Sequence, residues 1–283
     1  MEPFRTRIAA LEAEGYANGP AQAKLAHDIV LAALAMSGAA PHVAVKGGVL
    51  MGSLTGDVRR ATMDLDIDFV RRPLSDESVD GLVRLLNRLD GVSISRRGPI
   101  VELRQRNYRG KRIHLDIRDA EGAVVTTKID IGVHVHAEMP QPLHPFAVSV
   151  APAPVRLPAN TREQVFAEKL KSLLRLGARS NRPKDVFDMY YLRTRVDGRR
   201  LRRFVALLVF DDSAMRERDF AAVAARVRGV FSSGLYRKKL AGRKANWLEI
   251  TPDEAMSGLL SFLETLQPAP AAKRQPVSIA DET

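Results

Sequence analysis

Cysteine is absent from the 283 residues. That excludes disulfides and every metal site built on thiolates. Long apolar runs are missing too. The longest, around residues 29–36, falls well short of the ~18–20 residues that a membrane-spanning helix needs. The opening "MEPFRTRIAALEAEG" carries acids where a signal peptide has an apolar core. The expectation is a cytoplasmic protein with no membrane partner. Acids are the third shortage: 33 Asp and Glu face 44 Lys and Arg, a formal net charge of +11. The excess is not spread evenly. Residues 156–249 hold 23 Lys and Arg against 10 Asp and Glu, and the rest of the chain is slightly acidic. Such asymmetry favours a polyanionic partner, nucleic acid first, against the plainer alternative of a solvated arginine-rich helical surface.

Hydrophobic residues make up 45% of the chain, enough for a sizeable core. Residues 1–38 read as helices, "HVAVKGG" as a short strand running into glycines, and "VLMGSLTG" as a short helix or turn. "DLDIDFV" alternates with period two, as a half-buried strand does. "SDESVDGLVRLLNRLDG" opens with serine and acids and carries an apolar stripe, the pattern of a capped amphipathic helix. Strand-like segments follow near residues 92–95, 100–107, 112–118 and 124–135. Their breaks, "RRGP", "NYRGK" and "RDAEGA", suit hairpin turns. Proline-dense "MPQPLHPFAVSVAPAPVRLP" reads as a linker or wrapped loop, and the pattern is helical from Thr161 to about Leu266. The expected organisation is an α+β domain over residues 1–155, a basic helical domain over 156–267 and a flexible tail over 268–283.

Asp64, Asp66 and Asp68 share one face of their strand, with Leu65, Ile67 and Phe69 on the other. Like charges so placed need a counter-charge. Mg²⁺ takes oxygen ligands and favours one or two carboxylates together with substrate phosphates. The alternative is a solvated acidic edge strand that resists aggregation. Gly47 and Gly48 precede this strand at the end of "HVAV", where a short helix begins. Glycine lets a phosphate approach the backbone, and a helix N-terminus favours the anion. Lys46 beside them is a phosphate contact or a surface lysine. Gly52-Ser53 offers a second register for the same cradle, with Gly47-Gly48 preferred.

"KGGVLMGSL" followed by "RRATMDLDIDF" resembles the AbiEii/AbiGii-type nucleotidyltransferase toxins, the family that includes the MenT toxins. Those chains carry a GG turn and then R-x-[ST]-x-D-[LI]-D, which Arg60, Thr62, Asp64 and Asp66 match here. The second half adds "FAEKLKSLLRLGARSNRPKDVFDMYYL", similar to the family's E-K helix and its R-x-K-D and D-x-Y-x-L segment. The resemblance implies a polymerase-beta-like nucleotidyltransferase sheet followed by a helical C-terminal domain, with the site in the cleft between them. It makes Asp64 and Asp66 the metal-binding carboxylates, Thr62 the hydroxyl beside them, and Lys169 and Asp185 active-site residues. A third carboxylate comes from a neighbouring strand, Asp130 in preference to Asp116; Asp68 is an extra acid that the motif does not require, structural or set behind the metal-binding carboxylates. The implied chemistry is Mg²⁺-dependent transfer of a nucleoside monophosphate from an NTP to RNA, the 3′ end of tRNA first, in a toxin restrained by a cognate antitoxin. Small-molecule nucleotidyl transfer and a non-catalytic nucleic-acid-binding module are the alternatives.

Around these motifs, Pro183 suits a helix first turn with Ser180 or Asn181 as cap, and Lys184 pairs with Asp188 one turn on. Arg179, Arg182 and Lys184 are candidates to hold phosphates. Tyr190 and Tyr191 read as core. His134 and His136, with Glu138, are polar strand residues or, less favoured, zinc ligands. The basic and aromatic stretch from Tyr236 to Trp247 either tracks RNA or forms a solvated loop.

Overall fold

A computed structural model describes residues 1–105, 108–242 and 245–267. The expected tail, 268–283, lies outside the described residues, as do Arg243 and Lys244 of the basic stretch. Two helices, α1 (Phe4–Ala13) and α2 (Asn18–Met36), lead into β1 (Val43–Lys46). Helix α3 (Gly47–Thr55) separates β1 from β2 (Asp64–Val70), and α4 (Asp76–Leu85) separates β2 from β3 (Val92–Gln105). Strands β4 (Tyr108–Asp119) and β5 (Val124–His134) complete a five-stranded sheet in the order β1-β2-β5-β4-β3. Only β2 and β5 run parallel within it, so the sheet is mixed. A short hairpin, β6 (Leu143–Phe146) with β7 (Val155–Pro158), precedes the helices α5 (Arg162–Leu176), α6 (Lys184–Leu192), α7 (Gly198–Val205), α8 (Phe220–Phe231), α9 (Gly234–Leu240) and α10 (Pro252–Thr265). The expected α+β class, with a mixed sheet followed by helices, is the one observed.

The period-two pattern decides how the sheet sits. Leu65, Ile67 and Phe69 are fully buried on one face, with Ile129 and Ile131 beside them, and α2 packs on β5. Each such side chain contributes about 2 kcal/mol by leaving water. A slip of one residue would exchange this face for the aspartates, so register is strongly specified. Residues paired across strands share a face. Lys46 pairs with Asp66, Asp66 with Asp130, and Asp130 with Arg112. One row therefore crosses four strands in the charge order plus, minus, minus, plus.

The entry to α5 brings the helical half to this row. Val45 bridges Ala159, and the Asn160 N–H donates to the Val45 carbonyl at 3.1 Å. Thr161 then caps α5 by accepting from the Gln164 N–H. Phe166, Leu170, Leu173 and Leu174 are its buried stripe. The apolar side chains of both halves join in one buried cluster.

Three local expectations change. "RRGP" is not a hairpin turn: β3 runs through it with a bulge between Arg97 and Val101. Gly98 adopts φ +73° and Pro99 lacks an N–H, so the chain gives up ladder bonds there without turning back. The proline-dense segment is no linker, because it contributes β6 and β7. No side chain caps α6; Pro183 occupies the cap position, and Ser180 Oγ instead accepts from the Arg182 N–H at 3.2 Å.

Candidate active site

The β1–α3 turn explains its own glycines. Gly47 has φ +65°, and a side chain there would run into the Asp66 carboxylate. A Cβ on Gly48 would lie 2.5 Å from Thr62 Oγ1. Asp66 and Thr62 thus pack directly on the first turn of α3. No side chain caps that turn, which leaves its N–H groups to attract an anion. Ser53 lies further along α3, with Oγ 2.9 Å from His144 Nε2, and it does not join the aspartates. Of the two registers, Gly47-Gly48 is the one set against Asp66.

The carboxylates differ in their surroundings. Asp64 is 2.8 Å from Lys128, and Asp130 accepts from Arg112 Nε and Nη2 at 2.7 and 2.8 Å. Asp68, buried, is 2.5 Å from Lys46 Nζ. Asp66 has no salt bridge among the described residues. Burial raises its pKa above the ordinary carboxylate value; Lys46 opposes this, and the neighbouring Asp130 and Asp64 add to the rise. Asp116 pairs with Thr126 and sits 3.5 Å from Arg97, so the register brings Asp130 and not Asp116 beside Asp66.

A buried ionic hub stands next to this row. Asp188 is fully buried and accepts from Arg60 Nε and Nη2, both at 2.6 Å, and from Trp247 Nε1 at 3.0 Å. Lys169 Nζ lies 2.6 Å from Asp185 and 2.9 Å from Asp188. Burial alone would raise the Asp188 pKa, but Lys169 and Arg60 outweigh it and hold the group at about 2. Burial alone would lower the Lys169 pKa, and Asp185 and Asp188 reverse it. Arg60 is 3% exposed with two of its nitrogens committed to Asp188, so it braces the hub rather than offering itself to a nucleotide. The expected Lys184–Asp188 pair is not formed. Arg60 and Lys169 fill the Asp188 carboxylate, and Lys184 Nζ donates to the Ala61 carbonyl at 3.1 Å. Arg182, exposed at the start of α6, is close enough to lower the Asp66 pKa.

Other sequence candidates fall away from the site. His134 Nε2 lies 2.7 Å from the His136 carbonyl. Among the described residues no three His, Asp or Glu side chains converge as a ready-made metal cage. Tyr236 and Trp247 are buried, so the aromatic members of the basic stretch are core and not stacking platforms. Tyr190 and Tyr191 are partly buried under Arg193 and Arg195. Sequence reasoning passed over Arg112 and Lys128, the cations that face Asp130 and Asp64. Both alternate correctly on their strands, but only the pairing register shows what they oppose.

A family model for the nucleotidyl transferase AbiEii toxin of type IV toxin–antitoxin systems matches residues 29–257. The chain belongs to the AbiEii family. A comparison with curated proteins gives no match. The AbiEii match begins in α2 and ends in α10, so it takes in the carboxylate row and the hub together. Membership assigns nucleotidyl transfer and a place in a toxin–antitoxin system, which implies a cognate antitoxin. No helix among the described residues is long and apolar enough to cross a membrane.

Proposed function

We propose that this AbiEii chain transfers a nucleoside monophosphate from an NTP to the 3′ end of an RNA, tRNA first, releases pyrophosphate and so arrests growth. One observation carries the reading: Asp66 and Asp130 lie side by side on parallel strands, with Asp66 against the uncapped start of α3. An uncapped helix start suits phosphate, and adjacent carboxylates suit a divalent cation. Asp64, Asp66 and Asp130 are hard oxygen donors on one face but do not converge as a three-carboxylate cage, so Asp66 and Asp130 with substrate phosphates would hold Mg²⁺, and Asp66 has no salt bridge among the described residues. When bound, the ion would neutralise charge on the phosphates and on the departing pyrophosphate.

The chain's own residues supply the rest. The first turn of α3 holds phosphate oxygens, and Thr62 fixes the carboxylate side of that turn. Arg182 offers an exposed cation to the same phosphates. Lys169, oriented by Asp185 and Asp188, faces the donor from the helical half, and Arg60 keeps Asp188 in place. The acceptor hydroxyl oxygen bonds to the α-phosphorus, the bond from that phosphorus to the bridging oxygen breaks, and pyrophosphate leaves. The hydroxyl proton is shed toward the carboxylate face. The excess of Lys and Arg over residues 156–249 supports a polyanionic acceptor over a cationic small molecule.

The test is incubation of the protein with total RNA and each labelled NTP in turn, wild type against Asp66→Ala. Label on tRNA with wild type alone supports the proposal. Pyrophosphate release with no labelled RNA would redirect it to a small-molecule acceptor. No NTP binding would leave a nucleic-acid-binding module.

A further inference from the structure

Alongside α3 lies a cavity of about 360 Å³, bordered by α2 and by residues 146–149. Its walls are mostly apolar, with Leu31, Val49, Phe146 and Val148 among them. It reaches the proposed phosphate cradle, because Gly48 and Thr62 line it as well. Two of its polar groups are already satisfied: Asp28 is 2.5 Å from Lys24 Nζ and accepts from the Ser149 N–H at 2.8 Å. His27 is different. It is 3% exposed, it lines the cavity, and its Nε2 is buried without a partner. A neutral imidazole that donates at one nitrogen accepts at the other. The unfilled nitrogen therefore asks for a hydrogen-bonding partner, an acceptor or a donor according to which ring nitrogen carries the proton. The Ser149 hydroxyl, also buried without a partner, adds a second polar position.

From this geometry we infer that the cavity takes a nucleoside whose phosphate lies at the start of α3, with His27 Nε2 hydrogen-bonded to the polar edge of the base. The inference deepens the proposed nucleotidyl transfer and rests on it. A volume of this size suits a single nucleoside, at the small end of ligand pockets. The walls stack and bury a flat ring while one buried ring nitrogen orients it. Acidic neighbours keep the triphosphate out: Glu14, Asp28 and Asp57 line the cavity, against Lys24 and a spent Arg60. The nucleoside belongs either to the incoming NTP or to the 3′ end of the acceptor, and both present the same chemistry.

Gly52 gives a way to fill the cavity without breaking the fold. It lines the space, and a Cβ there would meet only the Arg60 carbonyl at 3.9 Å. Leucine also favours the helix. The experiment measures equilibrium binding of a non-hydrolysable NTP and, separately, of a short RNA with and without its 3′-terminal nucleoside. Wild type, Gly52→Leu and His27→Phe are compared, with Val49→Phe as a second filling variant should Gly52→Leu melt early. Weakening of about tenfold or more for the NTP alone assigns the pocket to the donor, and weakening for the intact RNA alone assigns it to the acceptor. Both ligands bound as tightly by the filled variants as by wild type would overturn the inference and leave the proposed reaction standing. No binding of either ligand by folded wild type would overturn both.

Discussion

Replacing Asp188 by alanine tests whether the hub is what holds the two halves of the site in register. The substitution strips the charge partner from Arg60 and leaves Lys169 with Asp185 alone. Arg60 is 3% exposed and Asp188 is fully buried, so water cannot take the carboxylate's place. Breaking a buried pair by removing one partner costs about 3–5 kcal/mol, a large share of the roughly 5–15 kcal/mol that stabilises a domain. For a chain of this length that lowers the melting temperature by about 6–10 °C. The single tryptophan reports the change directly, because Trp247 Nε1 donates to Asp188. Fluorescence and far-UV circular dichroism should lose the same midpoint.

Two controls make the reasoning refutable. Arg60→Met with Asp188→Leu removes both main charges, and it should cost less than the sum of the two single changes, since residues in one network couple. Acid titration supplies the sign. The folded Asp188 pKa, about 2, lies below the unfolded carboxylate value, so its ionised form stabilises the protein above about pH 4. That contribution, about 2 kcal/mol, is lost as pH falls from about 4 toward 2. Wild type and Asp188→Ala should narrow their difference over that window by about that amount. A loss under about 1 kcal/mol for the single change, or strict additivity in the double, would mean the hub is not a coupled buried network.

Asp66→Asn should do the reverse. Its carboxyl has a raised pKa in the folded state, so ionisation above the unfolded value works against folding; the amide should raise stability in urea unfolding and abolish nucleotidyl transfer. Gly47→Ala should cost about 1–2 kcal/mol for the left-handed backbone, plus its collision with Asp66. The collision part should shrink in an Asp66→Ala background, where only the Asp66 Cβ remains at 2.9 Å, and equal costs in both backgrounds would show that the carboxylate does not fill that space. His27, with its pKa pushed down to about 4 by burial, binds a proton more readily unfolded than folded. Stability should therefore fall by about 3 kcal/mol as pH drops from about 6.5 to 4. His27→Gln should flatten that slope, and an unchanged slope would assign it to other groups.

The strand of aspartates, the glycine turn and the capped helix α4 were legible because each follows from local rules: period two, a helix start that needs glycine, a serine before acids. The choice of Asp130 over Asp116 was a different matter. Both sit in alternating strands, and only the parallel pairing of β2 with β5 separates them. Long-range register leaves no local trace, so Arg112 and Lys128 were invisible as partners for the same reason. The hub failed differently. Lys184 and Asp188 stand at the spacing of a helical ion pair, but Arg60, far off in sequence, offers two parallel N–H donors and takes the carboxylate. Lys184 is left with a carbonyl, and burial lowers its pKa.

Charge accounting on the sheet face links the site to the rest of the chain. Asp64 has Lys128, Asp130 has Arg112 and Asp68 has Lys46, which leaves Asp66 alone without a salt bridge among the described residues. A divalent cation placed there on the proposed reading would bring the face from one negative charge to one positive. A triphosphate carries more negative charge than that surplus can offset. The balance has to come from outside the sheet, and Lys169 cannot supply it unaided because two carboxylates already hold it. Arg182, exposed and within electrostatic reach of Asp66, is such a cation. The strongly basic second half is then needed twice, once for the donor's phosphates and once for the acceptor's backbone. On the proposed reading its excess charge belongs to the chemistry of the nearly neutral first half and not only to its own surface.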